Sequence, residues 1–377
     1  MHIHFSYTHS HIDKMSKGTV LVTGFSGFLG SAVALQLLES GYKVRGAVRS
    51  ESKAKPWLKK YPQYSSQLEF TYVPDIAAPG AFDKAIEVSG RVLGSLMKTN
   101  AAQGVDYVIH TASPLADKCV DPERDMLLPA INGTLSVLKS ANRPGSTVKR
   151  VVITSSFGAM EDYGQPWNPE HVYTEADWCP ISYERAKAEK EDQALIYGTP
   201  MGITDKEMLT LNQSSPRRRP SRPLSRVLPT TIIGPTVQPV ETLADLPLSC
   251  TRIGDFFDTK ELPSAPVAPP IVDVADVALC HLRALEIPEA AGQRYLCGVH
   301  GHTPAQVANI LRRAFPSEAH RIPVGNDRPW SEDFKWDGSK ATRELHIEWT
   351  PKEISYAEAG RQWLELDKAD KASAAHK

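Results

Sequence analysis

An α/β chain of the Rossmann type, a doubly wound parallel sheet with a smaller C-terminal lobe, is the fold class this sequence predicts. Three observations predict it. An apolar run of strand length, Thr19 to Thr23, meets glycines at Gly24, Gly27 and Gly30 and passes into a helical pattern at Ala32, Val33, Leu35, Leu37 and Leu38. Short apolar runs then alternate with helical stretches, the rhythm of βαβ units whose strands lie parallel. The 377 residues and 41% hydrophobic content suit one large α/β domain, or a domain with a smaller companion.

Taken in order, residues 1–17 hold His2, His4, His9 and His11 but no apolar segment, so they read as a disordered leader rather than a signal peptide, with Met15 as an alternative start. In the first turn, Gly24 lets the chain reverse tightly, Gly27 admits a pyrophosphate to the backbone, and Gly30 lets helix and strand pack closely. The helix N-terminus offers N–H groups and a partial positive charge to phosphates, which makes Phe25, Ser26, Phe28 and Leu29 candidate cofactor contacts too.

The second strand, Tyr42 to Val48, ends at Arg49, where a site for NAD usually places an acid. Arg49, with Lys53 one helical turn on, suits the 2′-phosphate of NADP(H) instead. The third strand, Leu68 to Val73, leads to Asp75 and Ile76; Asp75 either accepts from an adenine amino group or caps a turn. The fourth, Val105 to His110, ends in the small residues Thr111, Ala112 and Ser113, at the strand ends where open α/β sheets bind ligands.

A helix over Pro129 to Ala141 leads to the fifth strand, Val148 to Ile153, and to Thr154-Ser155-Ser156. The sixth strand, Arg226 to Ile233, carries Pro229 and ends at Gly234-Pro235. The Pro-rich stretch up to Pro270 is expected to form a substrate lobe, with Phe256, Phe257 and Trp167 as apolar walls. A helix is expected to begin within Val272 to Ala278. This divides the chain into a dinucleotide-binding domain over 18–235, a lobe over 236–366 interleaved with the last Rossmann elements, and a charged, fraying tail over 367–377.

The net charge of −1 favours neither nucleic acid nor an anionic membrane, and no apolar stretch is long enough to span a bilayer. Arg217-Arg218-Arg219 reads as a solvated loop. Five scattered cysteines without metal-like spacing read as reduced cytoplasmic thiols, and no metal site is expected.

Tyr183 and Lys187 stand four residues apart, on one face of a helix. A phenol near pKa 10 is a poor acid at neutral pH, and a neighbouring ammonium lowers that value. Tyr183 is then able to give a proton to a carbonyl oxygen as hydride reaches the carbon, while Lys187 also holds the nicotinamide ribose. Ser156, or its neighbour Ser155, would bond the same oxygen as charge develops.

With these pieces in place the chain resembles an extended short-chain dehydrogenase/reductase of the NAD-dependent epimerase/dehydratase family. It is most similar to the group of dihydroflavonol, cinnamoyl-CoA and fungal aldehyde or methylglyoxal reductases. The resemblance rests on Val22 to Gly30, Arg49 with Lys53, His110 to Pro114, Gly133-Thr134, Thr154 to Ser156, Thr174 to Trp178, Gly234-Pro235 and Val272 to Ala278. It implies NADPH-dependent reduction of an aldehyde or ketone, with Ser156, Tyr183 and Lys187 as the triad, and a place in fungal secondary metabolism. No feature of the chain specifies an interface, so monomer and homodimer both stay open.

Three stretches depart from the family pattern. Residues 88–103 and 198–225 read as inserts, either loops or intron-derived sequence. The segment Trp178 to Tyr183 resembles one that precedes the catalytic tyrosine, which leaves Tyr197 as the alternative; Met201 stands where its lysine would be. The rival functions are a nucleotide-sugar epimerase or dehydratase of the same fold and a sensor that binds NADP(H) without turnover. A dehydratase would carry acids after the strand-five hydroxyl, where Phe157-Gly158 stands; a cofactor sensor would need no Tyr-Lys pair.

Overall fold

The structure, a computed structural model, describes residues 17–87, 104–114, 119–162, 168–189, 200, 203–204, 223–263, 270–326 and 335–375. Its centre is a seven-stranded, wholly parallel sheet. The strands are β1 (Thr19–Thr23), β2 (Lys43–Val48), β3 (Leu68–Tyr72), β4 (Tyr107–His110), β5 (Arg150–Thr154), β7 (Leu224–Pro229) and β10 (Arg294–Cys297), in the order β10-β7-β5-β4-β1-β2-β3. The order reverses between β1 and β4, and ligands bind at such switch points, beyond the strand C-termini.

Helices cover the sheet. On one face α1 (Phe28–Glu39) packs against α7 (Val274–Glu286) over Val20, Val22, Val152 and Val227. On the other, α3 (Asp83–Ile86) and α4 (Leu128–Ala141) cover Leu21, Val108, Val151 and Ile153. Successive strand residues alternate between these faces, so strands apolar at nearly every position are what a sheet covered on both sides requires. A five-residue π-helical turn, Glu123–Leu127, leads into α4. The helix α2 (Glu51–Lys60) follows β2, and α5 (Tyr183–Ala188) lies against the π turn.

A second core belongs to the C-terminal lobe. There α6 (Leu248–Thr251), α8 (Pro304–Ala314) and α10 (Lys352–Ala375) gather around Ile253, Phe256, Leu311 and Trp363. Between the two cores runs a parallel pair, β8 (Thr231–Ile233) with β9 (Ile271–Asp273). A small pair of β6 (Val172–Tyr173) with β11 (Lys335–Trp336) and the short α9 (Ser339–Leu345) complete the described elements.

Several expectations need correction. The sixth strand is two strands in two sheets. At Thr230 the N–H donates to the carbonyl of Cys297 on β10; at Thr231 it donates to Pro270, so the chain changes partner within one residue. The insert over 198–225 overshoots at its end, since Leu224 and Ser225 are buried in β7. Nor is it without structure: Ile203 is buried against Leu127, Ile131 and Ile181. Val272 and Asp273 are strand, and the Asp273 side chain caps α7 by accepting from the Ala275 N–H at 2.8 Å.

At the C-terminus, α10 runs unbroken through the expected fraying tail to Ala375. Asp367 pairs with Arg321 at 3.0 Å, and Asp370 accepts from the Leu243 N–H at 3.2 Å, so charged residues there anchor the helix to the lobe. Lys17, placed with the leader, is fixed by Glu286 at 3.0 Å and by the Gly41 carbonyl. The remaining leader, residues 88–103, Trp167, Tyr197, Met201 and the Arg217–Arg219 run lie outside the described residues.

Candidate functional site

The site is built at the switch point. Gly24 follows β1 with φ +64, a conformation that favours glycine, and a Cβ there would stand 2.9 Å from the backbone nitrogen of Ala112. A Cβ at Gly30 would lie 2.1 Å from the Gly24 carbonyl oxygen, so only glycine allows α1 to meet β1 this closely. Gly27 is exposed and caps the helix without a side-chain bond, and no acid stands in the first turn. The first N–H groups of α1 thus remain available, at its positive end, to an anion. Ser26 and Phe28 are half-buried around this cradle, whereas Phe25 and Leu29 point into the core. Phe25 meets Trp57 edge-on, with centroids 4.9 Å apart, which ties the turn to α2.

Polar contacts join β1 to β4. Thr23 Oγ1 lies 2.7 Å from His110 Nδ1, Thr111 donates to the Thr23 carbonyl at 2.7 Å, and the Ala112 N–H donates to Thr23 Oγ1 at 3.2 Å. His110 Nε2 reaches Thr134 Oγ1 on α4 at 3.4 Å. Burial pushes the His110 imidazole down to about 4, so the ring is neutral here. Thr111, Ala112 and Ser113 therefore lie beside the glycine turn, Ser113 exposed. Thr23, His110 and Thr134 were not assigned this structural role from sequence, although all three sit in stretches that carry the family resemblance.

Arg49 and Lys53 are exposed at the end of β2 and the start of α2. Among the described residues Arg49 makes no hydrogen bond or ion pair. Asp245 of the lobe is held below its usual carboxyl range by the N–H groups of Glu241 and Thr242 first, with Lys53 as a weaker contributor. Asp75 caps a turn by accepting from the Ala77 N–H at 2.8 Å, which is the second of its two expected readings. Ile76 packs on α4 where Gly133 leaves room; a Cβ there would stand 2.9 Å from Ile76 Cδ1. Pro229 closes β7 opposite Cys297.

Ser156 accepts from the Gly158 N–H at 3.1 Å, and its own proton is used in no hydrogen bond among the described residues. Ser155 is buried, its N–H bonded to the Val227 carbonyl. Ser156 therefore has a hydroxyl proton to offer.

Tyr183 and Lys187 share α5 and one partner that sequence reasoning missed. The Tyr183 hydroxyl donates to Glu123 Oε1 at 2.7 Å, and the Lys187 ammonium meets Glu123 Oε2 at 3.0 Å. This corrects the electrostatic expectation. Partial burial, then the Glu123 carboxylate, push the phenol up to about 12 rather than down. The ammonium that was to lower it is spent on Glu123, whose carboxyl is held below the usual range by Tyr183 and Lys187. Glu123 carries no sequence signal, because its position depends on the π turn. Of the expected apolar walls, Phe256 lines a cavity in the lobe, while Phe257 stacks on Trp363 with centroids 4.6 Å apart.

Among the described residues no helix is long and apolar enough to cross a membrane, and no cluster of side chains could hold a metal ion. The five cysteines form no disulfide.

The glycine cradle, the switch point and the basic pair after β2 together fit a dinucleotide phosphate, and comparison with known proteins agrees. A ketoreductase from Aspergillus niger, azaE, is 32% identical over 86% of this chain and 91% of its own length. The NADPH-dependent methylglyoxal reductase GRE2 of Saccharomyces cerevisiae is 30% identical over 81% of this chain and 85% of its own length. The crystal structure of Gre2 from Candida albicans in complex with NADPH superposes with a TM-score of 0.80 at 27% identity, covering 92% of this chain and 99% of that one. Residues 20–298 match the family described as NAD dependent epimerase/dehydratase, and the chain belongs to that family.

Proposed function

We propose that this protein is an NADPH-dependent carbonyl reductase acting on a small aldehyde or ketone in the cytoplasm. The observation that carries the reading is the basic end of β2. Arg49 stands where an acid would select NAD, and it has no other partner among the described residues. Similarity to reductases that act on carbonyl compounds supports the reaction class. When bound, NADPH supplies the hydride.

The chain's own residues have three tasks in this reading. The turn from Gly24 to Gly30 holds the pyrophosphate through backbone N–H groups and the dipole of α1. Thr111, Ala112, Ser113 and Pro229 line the floor along the strand ends. Ser156 donates a hydrogen bond from its free hydroxyl to the substrate oxygen as negative charge grows there. Tyr183 then delivers the proton, for which its hydroxyl must exchange Glu123 for the substrate, with Lys187 beside it.

One observation favours a second reading for the proton donor. Bonded to Glu123 and pushed up to about 12, Tyr183 is a weak acid at neutral pH. In that reading Tyr197 is the donor and the Tyr183–Glu123–Lys187 cluster is structural. The test is NADPH consumption over a panel of aldehydes and ketones by wild type, Tyr183→Phe and Tyr197→Phe. Loss of about 10²-fold or more in kcat is expected for Tyr183→Phe. Activity that survives there and collapses in Tyr197→Phe would transfer the role. NADPH bound without turnover of any substrate would sink the reductase assignment.

A further inference from the structure

The C-terminal lobe holds a cavity lined by none of the residues assigned to the cofactor or to proton delivery. Its volume is about 330 Å³, within the range of small-molecule pockets. One strand decides where it lies. Thr231 and Ile233 of β8 line it, whereas Ile232 between them packs against the core of the dinucleotide half. Neighbouring strand residues point to opposite faces. The cavity therefore opens on the face of the β8–β9 pair turned away from that half. Arg252, Phe256, His302 and Tyr356 supply its other walls.

Its chemistry is one-sided. No aspartate or glutamate lines it. Tyr356 is 5% exposed, sits edge-on to His302 with centroids 5.6 Å apart, and its hydroxyl has no hydrogen-bond partner among the described residues. Burial drives that phenol upward, so it keeps its proton and is able to donate. A phenol donor without a protein partner among the described residues is open to an acceptor on a ligand. His302 is neutral, pushed down to about 4 by burial and then by Lys352. Arg252 is exposed at the rim and makes no ion pair among the described residues. A mostly apolar cavity with an unpartnered phenol donor and a free guanidinium, and no carboxylate in its lining, selects an apolar anion.

We propose that this cavity is a binding site for a compact apolar carboxylate, with the Tyr356 hydroxyl and the Arg252 guanidinium as its donors. Size limits the ligand. An apolar cavity of about 150 Å³ accommodates benzene, so roughly twice that volume suits a chain or bicycle of about ten carbons.

Calorimetric titration of decanoate into the full chain saturated with NADPH tests this. Saturable one-site binding is expected, with 1-decanol bound at least about tenfold more weakly because it lacks the charge. Tyr356→Phe and Arg252→Gln should each weaken decanoate about tenfold while NADPH binding stays unchanged. Arg252→Gln is a surface change, so it remains informative if the buried substitution harms folding. Failure of wild type to bind decanoate while it still binds NADPH would overturn the proposal. So would decanol binding as tightly as decanoate, or an Arg252→Gln variant with undiminished affinity.

Discussion

Arg49 and Lys53 look equivalent as a pair of cations one helical turn apart, but their surroundings separate them. Lys53 shares its charge with Asp245 of the lobe, while Arg49 has no partner among the described residues. A planar guanidinium also binds phosphate through two parallel hydrogen bonds, which an ammonium does not. Arg49→Ala is therefore expected to raise the KM for NADPH about 10- to 100-fold, with the KM for NADH nearly unchanged and Lys53→Ala the milder of the two. Equal losses for both cofactors in steady-state kinetics would show that Arg49 does not read the 2′-phosphate. Glu123 teaches the same lesson in reverse: a Tyr and a Lys at the right spacing do not by themselves make an acid, because a third charge decides which way the phenol titrates.

At the scale of elements, the join of β1 to α1 is the tightest in the dinucleotide half. Gly30 leaves no space for a side chain, because the atom a Cβ would strike is backbone, the Gly24 carbonyl oxygen at 2.1 Å. Backbone held by a sheet strand cannot yield as a side-chain tip does. Gly30→Ala is expected to push α1 off the strand end, at a cost of about 1–3 kcal/mol, and to abolish NADPH binding because the helix N-terminus no longer faces the pyrophosphate. Thermal melting together with NADPH fluorescence titration checks both; a variant with wild-type affinity would contradict this geometry. A second join ties the stretch after β6 to the edge of the sheet. Arg294 on β10 donates to the carbonyls of Glu175 and Asp177 and stacks on Trp178 at 3.8 Å, while Glu175 accepts from the Leu296 N–H at 2.9 Å. The Thr174–Trp178 stretch is therefore a structural clasp, which explains its spacing without a catalytic role.

For the whole molecule, buried titratable groups set the response to pH. His110, His281 and His302 are all pushed down to about 4, by burial in each case. An unfolded histidine titrates near 6.5, so below that value the unfolded chain binds more protons than the native one. Stability is then lost as pH falls from about 6.5 towards 4, by roughly 2 kcal/mol per histidine at pH 5. Asp276 acts oppositely: burial raises it to about 6, with Thr350 bonds pulling the other way, so its burial penalty fades as pH falls through the same window. Burial raises Asp273 and Glu175 as well, which act with Asp276, and the three histidines together are expected to set the sign of the net change. The melting temperature is expected to drop clearly between pH 7 and pH 5, and His281→Asn should flatten the drop. A melting curve independent of pH over that range would contradict these buried neutral rings.

What the sequence by itself determined is whatever rests on neighbours along the chain. The glycines at 24, 27 and 30, the strand-length apolar runs and the basic residues after β2 are local patterns, and local sterics and periodicity fix them. Only the tertiary structure decided what depends on partners far away. Pro229 and Thr231 enter different sheets because Cys297 and Pro270 offer hydrogen bonds in different directions. The charged stretch after Leu366 stays helical because Arg321 and Leu243 receive its carboxylates. The fate of Tyr183 turns on Glu123, sixty residues earlier in the chain. Pairing across such distances is set by packing and by the exchange of water for protein partners, and no periodicity in the chain records it.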